Sequence, residues 1–243
     1  MKYEDAIAFR QALEQRLKDR ADGDGARLVR DRKRVAFDRL LARLLAVANR
    51  QWLLKGGFAL DLRLTARARS TKDIDIEWRA GEEELLDALL DAASHDAADF
   101  FAFAIERAGV PEDRLGGSHR FRVSASLAGR PFETFLLDVG FRADDGLTVE
   151  SLRTEDLLGF AGIEPIEVDA VPLELQVAEK LHAYTRTYEG GRTSTRPKDL
   201  VDLALISELS HLDAATLRRE IETVFALRDT HPAPKALSSP PAE

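Results

Sequence analysis

Apolar residues recur at three- and four-residue spacing through much of this chain, and at alternate positions in a few short stretches. Ile7, Phe9, Leu13 and Leu17 predict a helix over residues 3–20. Asp22-Gly23-Asp24-Gly25 breaks it. A second amphipathic helix follows on Val35, Phe37, Leu40, Leu41, Leu44, Leu45 and Val47, ending near Asn49. A short apolar run, Trp52-Leu53-Leu54, then leads into Gly56-Gly57 and a helical run carrying Phe58, Leu60, Leu62 and Leu64. A basic connection, Arg63 to Lys72, ends in the alternating segment Asp73-Ile74-Asp75-Ile76-Glu77, which reads as a strand.

Beyond that strand, Arg79-Ala80-Gly81 turns the chain into a helix to about Ser94, with Glu82, Glu83 and Glu84 in the first turn, where the dipole favours acids. Phe100–Ile105 reads as a strand. Residues 119–140 read as a hairpin closed by Gly129-Arg130-Pro131, with Phe121, Val123, Ala125 and Leu127 alternating in its first arm. Short strands and turns fill 150–172. Three helices follow: Glu174 to Tyr188, a second opened by Pro197 and ending near Leu209, and Ala214 to Leu227 behind an Asp213 cap. The pattern divides into a core over 1–160, a helical lobe over 161–230, and a Pro-, Ala- and Ser-rich tail over 231–243 that reads as disordered.

The chain has 243 residues, 44% of them hydrophobic, enough for one large core or two small ones. Its lack of cysteine excludes a disulfide framework, a thiol nucleophile and a Cys-ligated zinc. No apolar run approaches a membrane span and no signal segment opens the chain, so a soluble cytoplasmic protein without membrane contact is the expectation. The formal net charge is −8, which argues against general nucleic-acid binding. The charge is uneven, however: arginines and lysines crowd Arg27 to Arg50 and continue through Arg63, Arg67, Arg69 and Lys72. They form either a local basic face or ion pairs with acids such as Asp31 and Asp38.

The chemistry concentrates between Leu53 and Trp78. In a strand, Asp73 and Asp75 share one face and Ile74 and Ile76 the other. The isoleucines can anchor in a core while two carboxylates, hard oxygen ligands, converge for a cation such as Mg²⁺. Gly56-Gly57 lets a phosphate approach the backbone at the start of a helix. Together these features suggest phosphoryl or nucleotidyl transfer. Asp138 stands alone in the apolar run Phe135-Leu136-Leu137-Asp138-Val139, where burial without a partner would be unfavourable.

Leu54-Lys55-Gly56-Gly57 and Asp73-Ile74-Asp75-Ile76 resemble the core pattern of the polymerase-beta-type nucleotidyltransferase superfamily. With Ala178-Glu179-Lys180-Leu181 and Lys198-Asp199-Leu200-Val201-Asp202-Leu203, the chain resembles the AbiEii branch, the toxins of type IV toxin–antitoxin systems. The resemblance covers residues 35–228. It implies an α+β fold: a nucleotidyltransferase-like mixed sheet flanked by helices, with a C-terminal helical lobe completing the nucleotide site. It assigns Asp73, Asp75 and Asp138 to Mg²⁺, with Mn²⁺ as a substitute. Lys180 would contact nucleotide phosphates, and Asp199 would be needed for activity. Gly56, Gly57, Ser70 and Lys72 complete the nucleotide-binding set. Gly57 stands where many relatives have Ser, and Ser70 or Thr71 would supply the missing hydroxyl.

The implied reaction moves an NMP from an NTP to an acceptor. The tRNA 3′ end is favoured, with the Arg27–Arg50 face as RNA surface and a cognate antitoxin bearing a DNA-binding domain as partner. Rival readings are transfer to a protein or small molecule, and an inactive fold member that serves as a binding module.

Overall fold

A computed structural model describes residues 1–64, 71–109, 118–142, 148–188, 192–193 and 197–237. These residues group into two compact units. The first is drawn from Met1–Arg63 and Ser70–Ala170, the second from Leu64–Arg69 and Val171–Glu243.

The first unit opens with two helices, α1 (Ala6–Ala21) and α2 (Gly25–Ala48). The break between them is made by its aspartates. Asp22 caps α1 in the left-handed conformation, and the Asp24 carboxylate accepts the free N–H groups of Ala26 and Arg27. α2 starts ten residues before its first predicted apolar anchor, because Asp24 sets its start rather than the apolar run.

The sheet has seven strands: β1 (Trp52–Lys55), β2 (Asp73–Trp78), β3 (Phe101–Ala108), β4 (His119–Leu127), β5 (Arg130–Phe141), β6 (Glu150–Arg153) and β7 (Glu167–Ala170). Their spatial order is β3-β4-β5-β2-β1-β7-β6. β2 lies at its centre, parallel to β5 and antiparallel to β1. Ile74, Ile76 and Trp78 point into the core, as the alternation predicts. Two further helices belong to this unit, α3 (Gly56–Leu64) and α4 (Glu82–Ser94).

Phe37 of α2 packs edge-on against Phe58 of α3 and Phe135 of β5, with centroids 5.0 and 4.8 Å away. Arg34 of α2 grips Asp61 of α3 through two hydrogen bonds of 2.6 and 2.8 Å. Arg63 reaches Glu150 of β6 at 2.7 Å. The helix that follows the Gly-Gly element is therefore held on several sides.

The β4–β5 hairpin differs from the sequence reading in one consequential way. Its turn is Ala128-Gly129, both at positive φ, and Leu127 pairs with Arg130. Pro131 is thus already in the strand. The register then slips by one residue: Ser126 pairs with Pro131 but Ala125 with Glu133, which leaves Phe132 as the extra residue of a bulge. The bulge is gripped from α1 and α2. Arg10 donates to the carbonyls of Leu127, Arg130 and Pro131, and Arg32 donates to the Phe132 carbonyl at 2.6 Å.

The second unit contains α5 (Leu173–Thr185), α6 (Pro197–Leu209) and α7 (Ala214–Arg228), with a short two-stranded ladder of β8 (Thr187–Tyr188) and β9 (Arg192–Thr193). Asp213 caps α7 by accepting the Thr216 N–H at 2.7 Å. β7 keeps the chain in the sheet to Ala170, so the helical unit begins there rather than at 161. The tail does not begin at His231 either. That ring packs against His182 and Phe225, and Thr185 lies 2.8 Å from its Nε2. Residues 238–243 lie outside the described part. Among the described residues no helix is long and apolar enough to cross a membrane.

Candidate active site

Residues paired in register on neighbouring strands share a face of the sheet. Lys55 of β1 pairs with Asp75 of β2, Asp75 with Asp138 of β5, and Asp138 with Arg120 of β4. A row of four charges therefore crosses four adjacent strands in the order plus, minus, minus, plus. Asp73 lies two residues along β2 on the same face, opposite Leu136. The three carboxylates singled out from the sequence are gathered in one unit, two from one strand and one from its parallel neighbour.

Gly56 closes against this row. It has a φ of +67°, and a Cβ there would overlap the Asp75 carboxylate. Only glycine meets both demands: the left-handed backbone and the close approach to a side chain. Gly57 follows, half-buried, in the first turn of α3. Thr71 is buried, its hydroxyl donating to the Asp73 carbonyl at 3.2 Å. Lys72 is exposed beside Asp73. Ser70 lies outside the described residues.

Asp138 is only 2% exposed, and Arg120 answers its burial problem with a fork of two hydrogen bonds, 2.6 and 2.9 Å. The Arg120 guanidinium is held above its ordinary pKa, first by this bond to Asp138 and also by the charges of Asp138, Asp73 and Asp75, against the opposing effect of burial. At the other end of the row Lys55 is ion-paired with Glu77 of β2. Gly140 makes room for that pair, since a Cβ there would stand 3.1 Å from the lysine nitrogen. The roles of Arg120 and Glu77 were not visible in the sequence reading. A hairpin count could have found Arg120, but only with the bulge known.

The donor chemistry fits a hard divalent cation, with carboxylate oxygens from two strands on one face. As placed, though, no three carboxylate or imidazole side chains among the described residues form a ready metal cage. Asp138 is committed to Arg120. Asp73, Asp75 and Asp138 are the carboxylates on this face that could hold such an ion.

The remaining predicted residues lie in the helical unit. Lys180 is 9% exposed, and its ammonium meets Asp202 at 2.7 Å and Asp199 at 3.3 Å. Two carboxylates one helical turn apart on α6 thus hold a lysine of α5 in one position. It is not the surface lysine that an amphipathic helix alone suggests. Asp202 makes the shorter contact, so both acids orient the ammonium.

In the basic segment, ion pairing is the alternative that most of the side chains follow. Arg39 and Arg43 are buried, paired with Asp38 and Asp99. Arg34 pairs with Asp61 and Glu155, Lys33 with Glu133, and Arg27 stands 3.9 Å from Asp31. Arg32 is turned to the Phe132 carbonyl and ring. Arg32, Arg34, Arg39 and Arg43 fasten the helix to the sheet, to α3 and to the segment before β3. A broad RNA-binding face between Arg27 and Arg50 is not what they build.

Against known proteins, the model of the family described as nucleotidyl transferase AbiEii toxin, type IV toxin–antitoxin system, matches residues 39–243. No curated protein matches the sequence. Among solved structures, the nucleotidyltransferase toxin MenT4 of Mycobacterium tuberculosis H37Rv is similar at 22% identity and a TM-score of 0.62, over 86% of this chain and 68% of that one. Its likeness supports the fold. Two more distant structures are JHP933 of Helicobacter pylori, at 16% identity and a TM-score of 0.45 over 81% of this chain and 76% of that one, and an antigenic nucleotidyltransferase-like protein of Paracoccidioides brasiliensis, at 17% and 0.48 over 80% and 88%.

Proposed function

Because the chain belongs to the AbiEii family of nucleotidyltransferase toxins of type IV toxin–antitoxin systems, we propose that its sheet-face carboxylates are the centre at which an NMP is moved from an NTP to an acceptor hydroxyl. The observation that carries this reading is the register of Asp75 with Asp138, with Gly56 closed against the Asp75 carboxylate.

Asp73, Asp75 and Asp138 would hold Mg²⁺, for which Mn²⁺ would substitute. Held there, the ion would supply positive charge to offset that of the α-phosphate and pyrophosphate. Gly56 and Gly57 let the triphosphate lie close to the backbone. Lys180, fixed by Asp199 and Asp202, offers the phosphates a compact positive charge. The acceptor oxygen forms its bond to the α-phosphorus as the bond to the β-phosphate oxygen breaks. The acceptor proton passes to Asp138 once that carboxylate is free of Arg120. Pyrophosphate leaves.

The acceptor we favour is the tRNA 3′ end, whose modification would block translation, with a cognate antitoxin bearing a DNA-binding domain. The family supports the toxin and its antitoxin. Arg32, Arg34, Arg39 and Arg43 of α2 are engaged within the protein, which narrows the basic surface offered to RNA. That observation favours a second reading, transfer to a protein or small molecule. Incubation with Mg²⁺, total tRNA and each labelled NTP in turn separates the two. Label in tRNA, lost about a hundred-fold or more in Asp73→Ala, is the expected result. Label in a protein band or small product would replace the tRNA reading, and no transfer to any acceptor would leave the binding-module reading.

A further inference from the structure

Arg120 enters the reaction above only as the partner that Asp138 must leave, yet it occupies the acidic row from within. We propose that Arg120 is a positioning residue that holds Asp138 away from the metal site, so that an internal cation closes the site whenever it is empty. The inference rests on the reading of the carboxylates as a divalent-cation site.

The two ends of the row balance their positive charges differently. Lys55 is balanced by Glu77, an acid outside the proposed ligand set. Arg120 is instead paired with a proposed ligand, using both of its oxygens. The pair is well shielded at Asp138 and partly open at Arg120, whose side chain is 23% exposed. A buried carboxylate left alone is strongly unfavourable, so Asp138 stays with the guanidinium until another cation replaces it. A guanidinium so close to a dication weakens its binding, by about ten-fold at the separations of neighbouring side chains after screening. The open flank of Arg120 also gives it somewhere to go: a phosphate reaching the site offers the same fork geometry as the carboxylate it leaves.

The test uses the full chain stripped of metal and without nucleotide, titrated with Mn²⁺ and read by the electron paramagnetic resonance of the free ion. Wild type, Arg120→Gln and Arg120→Lys are each compared with and without Asp73→Asn. Arg120→Gln should bind Mn²⁺ about ten-fold more tightly than wild type. Arg120→Lys keeps the charge but loses the fork, and should gain about three-fold. Both gains should vanish with Asp73→Asn. A merely structural arginine would leave the affinity unchanged or lower it. Equal or weaker Mn²⁺ binding by the Arg120 variants, with binding still dependent on Asp73, overturns the role of Arg120 and leaves the metal site standing. Binding that ignores Asp73→Asn, or no binding at all, overturns both. Should Arg120→Gln fail to fold, the charge-conserving Arg120→Lys decides by the same criterion.

Discussion

Arg43 with Asp99 and Arg120 with Asp138 are chemically the same pair, each a two-bond fork, with bond lengths of 2.8 and 2.7 Å in one and 2.6 and 2.9 Å in the other. Their surroundings differ. Arg43 also donates to the carbonyls of Arg39 and Phe101, and Asp99 accepts the Phe101 N–H. That pair joins α2 to the start of β3 and is sealed on both sides. Arg120 and Asp138 stand in a row with Asp75 on a face that is partly open. The geometry of an ion pair therefore does not reveal its role. What decides is whether the partners have somewhere else to go.

The largest expected effect tests this contrast directly. Arg43→Met takes from buried Asp99 both bonds of its fork and leaves it only Arg39, 3.6 Å away, and the Phe101 N–H, and should lower unfolding free energy by about 3 kcal/mol in urea denaturation. Arg120→Gln should lose less than half as much, because its flank is open and glutamine still donates to Asp138. Equal losses would mean that the two pairs are equally structural.

Glycines at positive φ provide the next comparison. Gly56 and Gly129 have nearly the same φ, +67° and +68°. A Cβ at Gly129 would meet nothing within 4 Å, whereas at Gly56 it would strike the Asp75 carboxylate. Gly56→Ala should reduce nucleotide transfer about a hundred-fold, while Gly129→Ala should cost about 1 kcal/mol of stability and leave the rate unchanged. A matching loss of rate in both variants would separate activity from the contact at Asp75.

A third buried polar group, an imidazole, has a hydroxyl rather than a carboxylate as its hydrogen-bond partner among the described residues. His182 is 1% exposed, its Nε2 lies 2.8 Å from the Thr230 hydroxyl, and its Nδ1 has no hydrogen-bond partner among the described residues. Burial, aided by Arg228, His231 and Arg186, brings the imidazole down to about 4 from the ordinary 6.5. The unfolded chain binds this proton more readily, so acid favours unfolding. Stability from this group is full above pH 6.5 and falls as the pH drops toward 4, with about 2 kcal/mol gone by pH 5. Chemical denaturation of His182→Gln, compared with wild type across this range, should show a flatter profile. Parallel profiles would remove His182 as the source.

Much of the molecule was legible in the order of its residues. The Asp73–Glu77 alternation determined that two carboxylates face away from two isoleucines, since a strand's side chains alternate whatever surrounds it. One helix start was legible at the Asp213 cap, whereas the Asp24 cap begins α2 ten residues before the apolar run that predicts it. The fate of the basic segment was not legible. Spacing shows that arginines lie on α2, but only packing shows that Asp61 and Asp99, distant in sequence, come to meet Arg34 and Arg43.

The residue opposite Asp138 is the sharpest case. Counting back from the Ala128-Gly129 turn with even pairing would set His119 there. The bulge at Phe132 shifts the register by one and sets Arg120 there instead. That bulge is held by Arg32, whose donation to the Phe132 carbonyl joins residues 100 positions apart. Local alternation settles which way each side chain faces along its own strand. Which charge it meets across the sheet depends on contacts that exist only once distant helices have packed.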